Sequence, residues 1–168
     1  MVAVIPKFMP NFQISLTVSN VRVKSRRWHN LFQVTKPGTN HFKQPGNRMA
    51  AIYFNGRRKY FHIITDRNGK PNNYVNKRIH KTSQDGSTAV FAGPYYFQFI
   101  QEENKDGKYV IKITMNGETL VNEINSEPKT VDLAELYVAY RKPHRYLPLD
   151  AEIHEFKLQT GKTNFIIE

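Results

Sequence analysis

Residues 107–128 read GKYVIKITMNGETLVNEINSEP. Tyr109, Ile111 and Ile113 alternate with Val110, Lys112 and Thr114, and a second β-rich run, Leu120 to Ile124, follows Asn116-Gly117. Asn and Gly accept the positive φ that a tight type I′ turn needs, so two β-rich runs joined by this pair predict a hairpin. The hairpin sets the expectation of an antiparallel β protein. Asn125-Ser126-Glu127-Pro128 reads as the corner leading out of it.

Working outward, the same alternation recurs. Phe12, Ile14, Leu16 and Val18 alternate with polar residues, as do Val21 and Val23, with Ser19-Asn20 as a break between the two runs. Further strands are expected over 31–34, 48–54, 59–64, 74–79, 95–101, 136–140 and 151–158, with 165–168 a short strand or tail. Asn55-Gly56 is a second hairpin signal. Residues 66–73 and 81–89 read as polar loops. No convincing helix is found. Ten to twelve short strands at this spacing predict an all-β antiparallel β-sandwich.

The chain has 168 residues, enough for one domain over 1–168 with a single core. It has no cysteine, which excludes disulfides, a thiolate nucleophile and a Cys-ligated metal. The formal charge is +11, which favours contact with polyanions: nucleic acid, anionic lipid or sulfated glycan. No apolar run approaches the ~20 residues of a membrane-spanning helix. The first ten residues carry Pro6 and Pro10 and lack the basic and long apolar regions of a signal peptide, so a secreted form would begin after its leader.

Several stretches keep a familiar order: residues 28–35 (WHNLFQVT), 45–54 (PGNRMAAIYF), 97–101 (FQFIQ), the opening hairpin, and residues 151–158 (AEIHEFKL). This order, over residues 12–158, resembles the concanavalin A-like jelly rolls, in particular laminin-G-like or lectin-like domains of invertebrate extracellular proteins. The resemblance implies two antiparallel sheets and an extracellular module that binds glycans. Galectins share that fold, and their sugar site resembles a His-x-Asn-x-Arg strand, an Asn, and a Trp-x-x-Glu-x-Arg strand. Here His41 and Arg48 are too far apart for the first motif, and Trp28, the one tryptophan, precedes both.

Glycoside hydrolases of this class resemble one another in a Glu-x-Asp-x-x-Glu strand, which supplies the two carboxyl groups of a retaining mechanism. Here Glu152-Ile153-His154-Glu155 has histidine at the Asp position and glutamates three apart, which in a regular strand face opposite ways. The expectation is therefore a binding module without catalysis. The six histidines form no pair at zinc spacing, so no metal is expected. Loops 66–69 and 102–106 carry oxygen ligands suited to calcium, but each also carries cations, and solvated turns are the better reading.

Glycan binding needs a planar ring and side chains with fixed donors and acceptors. Residues 40–76 are dense in these types, and the candidate ligand-binding residues are His41, Arg48, Asn55, Arg57, His62, Asp66, Asn72, Asn73 and Tyr74. Rings available to stack on a sugar include Trp28, Tyr53 and Tyr60. The candidate polyanion-binding residues are Arg26, Arg27, Arg58, Lys59, Lys77 and Arg78, which suit acidic or sulfated glycans if they share one face. The alternatives are an adhesion or matrix domain binding protein, and, more weakly, a nucleic-acid-binding β domain, for which no recognition motif is present. An open edge strand also leaves room for homo-oligomers.

Overall fold

Phe12, Ile14, Leu16 and Val18 are all buried in the computed structural model, at the centre of one of two antiparallel sheets that pack as a sandwich. The structure describes residues 3–38, 48–139 and 147–167. It contains fifteen strands in chain order: β1 (Ala3–Phe8), β2 (Phe12–Val23), β3 (Trp28–Thr35), β4 (Ala50–Asn55), β5 (Tyr60–Arg67), β6 (Lys70–Arg78), β7 (Ser83–Asp85), β8 (Thr88–Phe91), β9 (Tyr95–Glu103), β10 (Tyr109–Met115), β11 (Glu118–Asn125), β12 (Val131–Val138), β13 (Leu147–Pro148), β14 (Asp150–Thr160) and β15 (Thr163–Ile167). The first sheet runs β1-β12-β3-β4-β5-β6, with β13 lying parallel to part of β3. The second runs β11-β10-β9-β2-β14-β15, with the β7–β8 hairpin added to the far part of β2. Among the described residues there is no helix, and so none long and apolar enough to cross a membrane.

Aromatic rings join the two sheets. Phe32 of the first sheet meets Phe99 and Phe156 of the second edge-on, with centroids 5.7 and 5.5 Å apart. Phe54 lies 5.2 Å from Phe91, and Phe61 lies 5.0 Å from Phe97. All seven rings are fully buried; three of these four contacts are edge-to-face, which suits the ring quadrupoles, and Phe54–Phe91 is tilted.

The opening hairpin forms as its sequence requires. Met115 pairs with Glu118, and Asn116 (φ 50°) and Gly117 (φ 80°) make the positive-φ pair between them. A second turn of this kind joins β5 to β6 at Asn68 (φ 53°) and Gly69 (φ 67°), inside the stretch expected to be a loop. At Asn55-Gly56 the hairpin forms with a longer turn, residues 56–59, and the positive φ falls on Lys59 (58°). Residues 81–89, expected to be a loop, contain β7 and the start of β8. Ser19-Asn20 does not end its strand: β2 continues through Asn20 (φ 50°) while exchanging one neighbour, β9, for another, β8. β1 and the polar β6 also extend beyond the sequence expectation. Pro71 is tolerated because β6 is a sheet edge.

The glutamates of β14 depart from simple alternation. The register of β14 against β2 shifts between Ile153 and Glu155, so Glu152 and Glu155 share the solvent side. Glu152 accepts from Asn20 at 2.7 Å, and Glu155 pairs with Lys157. A bulge adds one residue to a strand and so reverses the alternation that follows it.

Candidate functional site

The first sheet buries Ala50, Ile52 and Phe54 of β4 against the core, so Ala51, Tyr53 and Asn55 take its other face. Alternation across the neighbouring strands adds Trp28 and Gln33 from β3, Tyr60, His62 and Ile64 from β5, and Tyr74, Asn76 and Arg78 from β6. Cross-strand partners on one face sit close enough to touch. Here Trp28 meets His62 edge-on at 5.0 Å and Tyr60 at 5.9 Å, and Tyr74 lies 4.5 Å from His62 on the other side.

Arg48 enters from the turn before β4. Its guanidinium lies over the Tyr53 ring, 4.8 Å from the centroid, and donates to Asn72 Oδ1 at 2.7 Å. The ring face and the amide oxygen together stabilise a cation that is otherwise buried. The Tyr53 hydroxyl donates to Gln33 Oε1. Trp28, Arg48, Tyr53 and His62 line a cleft of about 40 Å³. About 10–15 Å³ of such space holds one water, so the cleft has room for a few atoms of a ligand and not for a whole sugar ring.

His62 supplies the polar edge of this cleft. Its Nδ1 lies 2.6 Å from Asn76 Oδ1. That oxygen can only accept, so Nδ1 carries the proton and Nε2 is left as an acceptor. Burial lowers the His62 pKa, the hydrogen bond to Asn76 opposes this, and the Arg48 charge lowers it further. The imidazole is therefore neutral at neutral pH. Nearby on β3, Asn30 pairs with Tyr53 across the strands and is buried with Oδ1 lacking a hydrogen-bond donor.

Of the residues expected from sequence to bind ligand, Arg48, His62, Asn72 and Tyr74 come together here. Asn55 lies at the end of the same face, but its Oδ1 accepts from the Arg57 and Arg58 amides and caps the turn. Arg57 is on that turn and exposed. Asp66 is buried at the opposite end of β5, 2.7 Å from Lys129 Nζ. Asn73 alternates with Tyr74 and points to the other side of β6. His41 lies outside the described residues. Gln33 and Asn76 join the same face although no motif marks them in the sequence; strand pairing puts Gln33 opposite Ala51 and Asn76 opposite His62. Tyr53-Phe54-Asn55-Gly56-Arg57 likewise has Asn and Arg at the His-x-Asn-x-Arg spacing, with tyrosine in the histidine's place.

Arg26, Arg27, Arg58, Lys59 and Arg78 gather, with Arg57, at one end of the sandwich. Gly56 N donates to Arg27 O at 3.0 Å, and Ile79 N donates to Lys59 O at 3.2 Å, which joins the three segments. Lys77 does not belong with them: it points to the other side of β6 and pairs with Glu118.

On the exposed side of the second sheet, Ser19 Oγ lies 2.7 Å from His154 Nε2. Glu152 bonds Ser19 (3.3 Å) and Asn20, not the second imidazole nitrogen, so it does not orient the ring as the acid of a Ser-His-Asp triad does. Among the described residues no three His, Asp or Glu are grouped to hold a metal ion. No family model and no curated protein matches this sequence.

Proposed function

We propose that the chain is a non-catalytic, lectin-like carbohydrate-binding module of jelly-roll type, working on an extracellular glycan through the part of the outer face of its first sheet that carries Trp28, His62 and Tyr74. One observation carries this reading: the cleft between Trp28, Arg48, Tyr53 and His62. It combines what sugar recognition requires, apolar ring surface beside fixed polar groups. Neutral His62 offers Nε2 to a sugar hydroxyl, the Arg48 guanidinium, held by Asn72 and Tyr53, adds positive charge behind it, and the rings of Trp28, Tyr60 and Tyr74 flank the position. The cleft takes one hydroxyl or hydroxymethyl group while the sugar ring lies across its mouth.

The test is a glycan array probed with the protein and with His62→Ala at about 50 mM and about 200 mM salt, a range over which charge-driven binding falls steeply. The expected result is binding to neutral glycans that survives the higher salt and falls at least tenfold in the variant. Absence of any glycan signal at either salt would overturn the reading and favour a protein-binding adhesion module.

A further inference from the structure

Six exposed cations from three segments meet at one end of the sandwich: Arg26 and Arg27 before β3, Arg57, Arg58 and Lys59 between β4 and β5, and Arg78 at the end of β6. Their backbone is held firmly. Asn55 Oδ1 accepts from Arg57 N (3.1 Å) and Arg58 N (2.9 Å), and Lys59 N donates to Asn55 O at 2.7 Å. Gly56 sits against the neighbouring turn, where an added Cβ would lie 2.1 Å from Ser25 O. Among the described residues no carboxylate forms an ion pair with any of the six; the described ion pairs use Arg67, Lys77, Lys129 and Lys157. Like charges held together without counter-charges raise the local potential and attract anions.

We propose that this end is an anion-binding site, and that it takes the sulfate or carboxylate groups of an acidic polysaccharide whose sugar rings continue onto the adjoining Trp28–Tyr74 part of the outer sheet face. The identification of the partner as a glycan rests on the carbohydrate reading above. Two observations favour it. The end is continuous with the cleft, since Trp28 pairs with Asn55 and Tyr60 pairs with Arg78. Single-stranded nucleic acid, in contrast, needs rings presented among the cations for bases to stack on. Here the rings nearest the cations, Trp28 and Tyr60, are half-buried and pack edge-on against one another, and the exposed ring, Tyr74, lies further along the face beside His62. Arginine forks also bind oxyanions through paired donors.

The experiment measures affinity for heparin, for oligo-dT of matched charge and for the neutral glycans retained on the array. It uses the wild-type chain, His62→Ala and the triple variant Arg57→Ala/Arg58→Ala/Lys59→Ala, all at about 50 mM and about 200 mM salt. The triple variant changes only exposed turn side chains and is checked by its melting temperature. The expected result is a tenfold or greater loss of heparin affinity in the triple variant, a shallower salt dependence, and neutral-glycan binding within twofold of wild type. Heparin affinity within twofold of wild type in the triple variant overturns the proposal, as does tighter binding of oligo-dT than of heparin. Loss of heparin binding in the triple variant, with no neutral-glycan binding by any form, supports the anion site and removes the cleft reading alone.

Discussion

His62 is held neutral by burial, and that has a consequence for stability. Its folded-state pKa lies below the unfolded value of about 6.5, so between those two values the unfolded chain binds more protons. The His62 contribution is therefore constant above about pH 6.5 and is lost as pH falls through the window beneath it. Arg48, Tyr60 and Tyr74 surround the ring, and protonation would place a second cation beside Arg48. The melting temperature should fall on acidification below pH ~6.5, and should fall less in His62→Gln. An NMR titration of the His62 ring should return a midpoint below 6.5; a midpoint above it would contradict the environment described.

Gly56 and Gly117 are glycines for different reasons. Gly117 has φ 80° with open space around it, so Gly117→Ala costs only the left-handed conformation, about 1–2 kcal/mol. At Gly56 the obstacle is backbone: Ser25 O at 2.1 Å and Arg27 O at 3.1 Å from an added Cβ. Gly56→Ala must separate two turns, and a cost of about 1–3 kcal/mol or more is expected. Urea melts of both variants measure this, and Gly56→Ala, alone of the two, should also weaken heparin binding, because it spreads the cations without removing any.

At the scale of elements, the end away from the cations is closed by amides. Asn125 accepts from Asn68 N at 2.9 Å and donates to Gln101 Oε1 at 2.7 Å, and Gln101 donates to Pro10 O at 2.8 Å. This chain links the β5–β6 turn to the second sheet. Asn125 is 2% exposed, so Asn125→Ala leaves buried partners unsatisfied, and a loss of about 2–4 kcal/mol is expected from equilibrium unfolding. The β10–β11 hairpin was legible because turn chemistry and alternation agree there. β6 was half hidden because an edge strand carries polar residues and even Pro71, and β7 because all three of its residues are exposed. The turn after Asn55 took a longer form because Asn55 Oδ1 serves as its cap, leaving Lys59 to adopt the positive φ.

For the whole molecule, stability rests on the aromatic layer between the sheets. Phe32 touches rings from two strands of the opposite sheet, so Phe32→Ala should cost about 3–5 kcal/mol. Against a typical total of 5–15 kcal/mol, that loss should be plain in a denaturant melt. The sandwich could be read from alternation because alternation is local. The candidate site could be read only in part. Trp28, Tyr53, His62 and Asn76 become neighbours through pairing across strands, and no spacing along the chain encodes which strands pair. The basic end was likewise visible as clusters, but their convergence depends on two backbone hydrogen bonds between turns.

The β7–β8 hairpin offers a practical handle. Among the described residues β7 pairs with β8 alone, Asp85 faces Thr88 across the tip, and nothing lies within 4 Å of where a side chain at Gly86 would begin. A flexible segment spliced between Gly86 and Ser87 starts from a tip that nothing crowds among the described residues. Lengthening the tip from two residues to about eight is two doublings of the loop, about 1.2 kcal/mol of closure entropy. A fluorophore or affinity tag carried there should leave the fold intact, whereas the same insertion after Gly56 would part the two turns that hold the cations together.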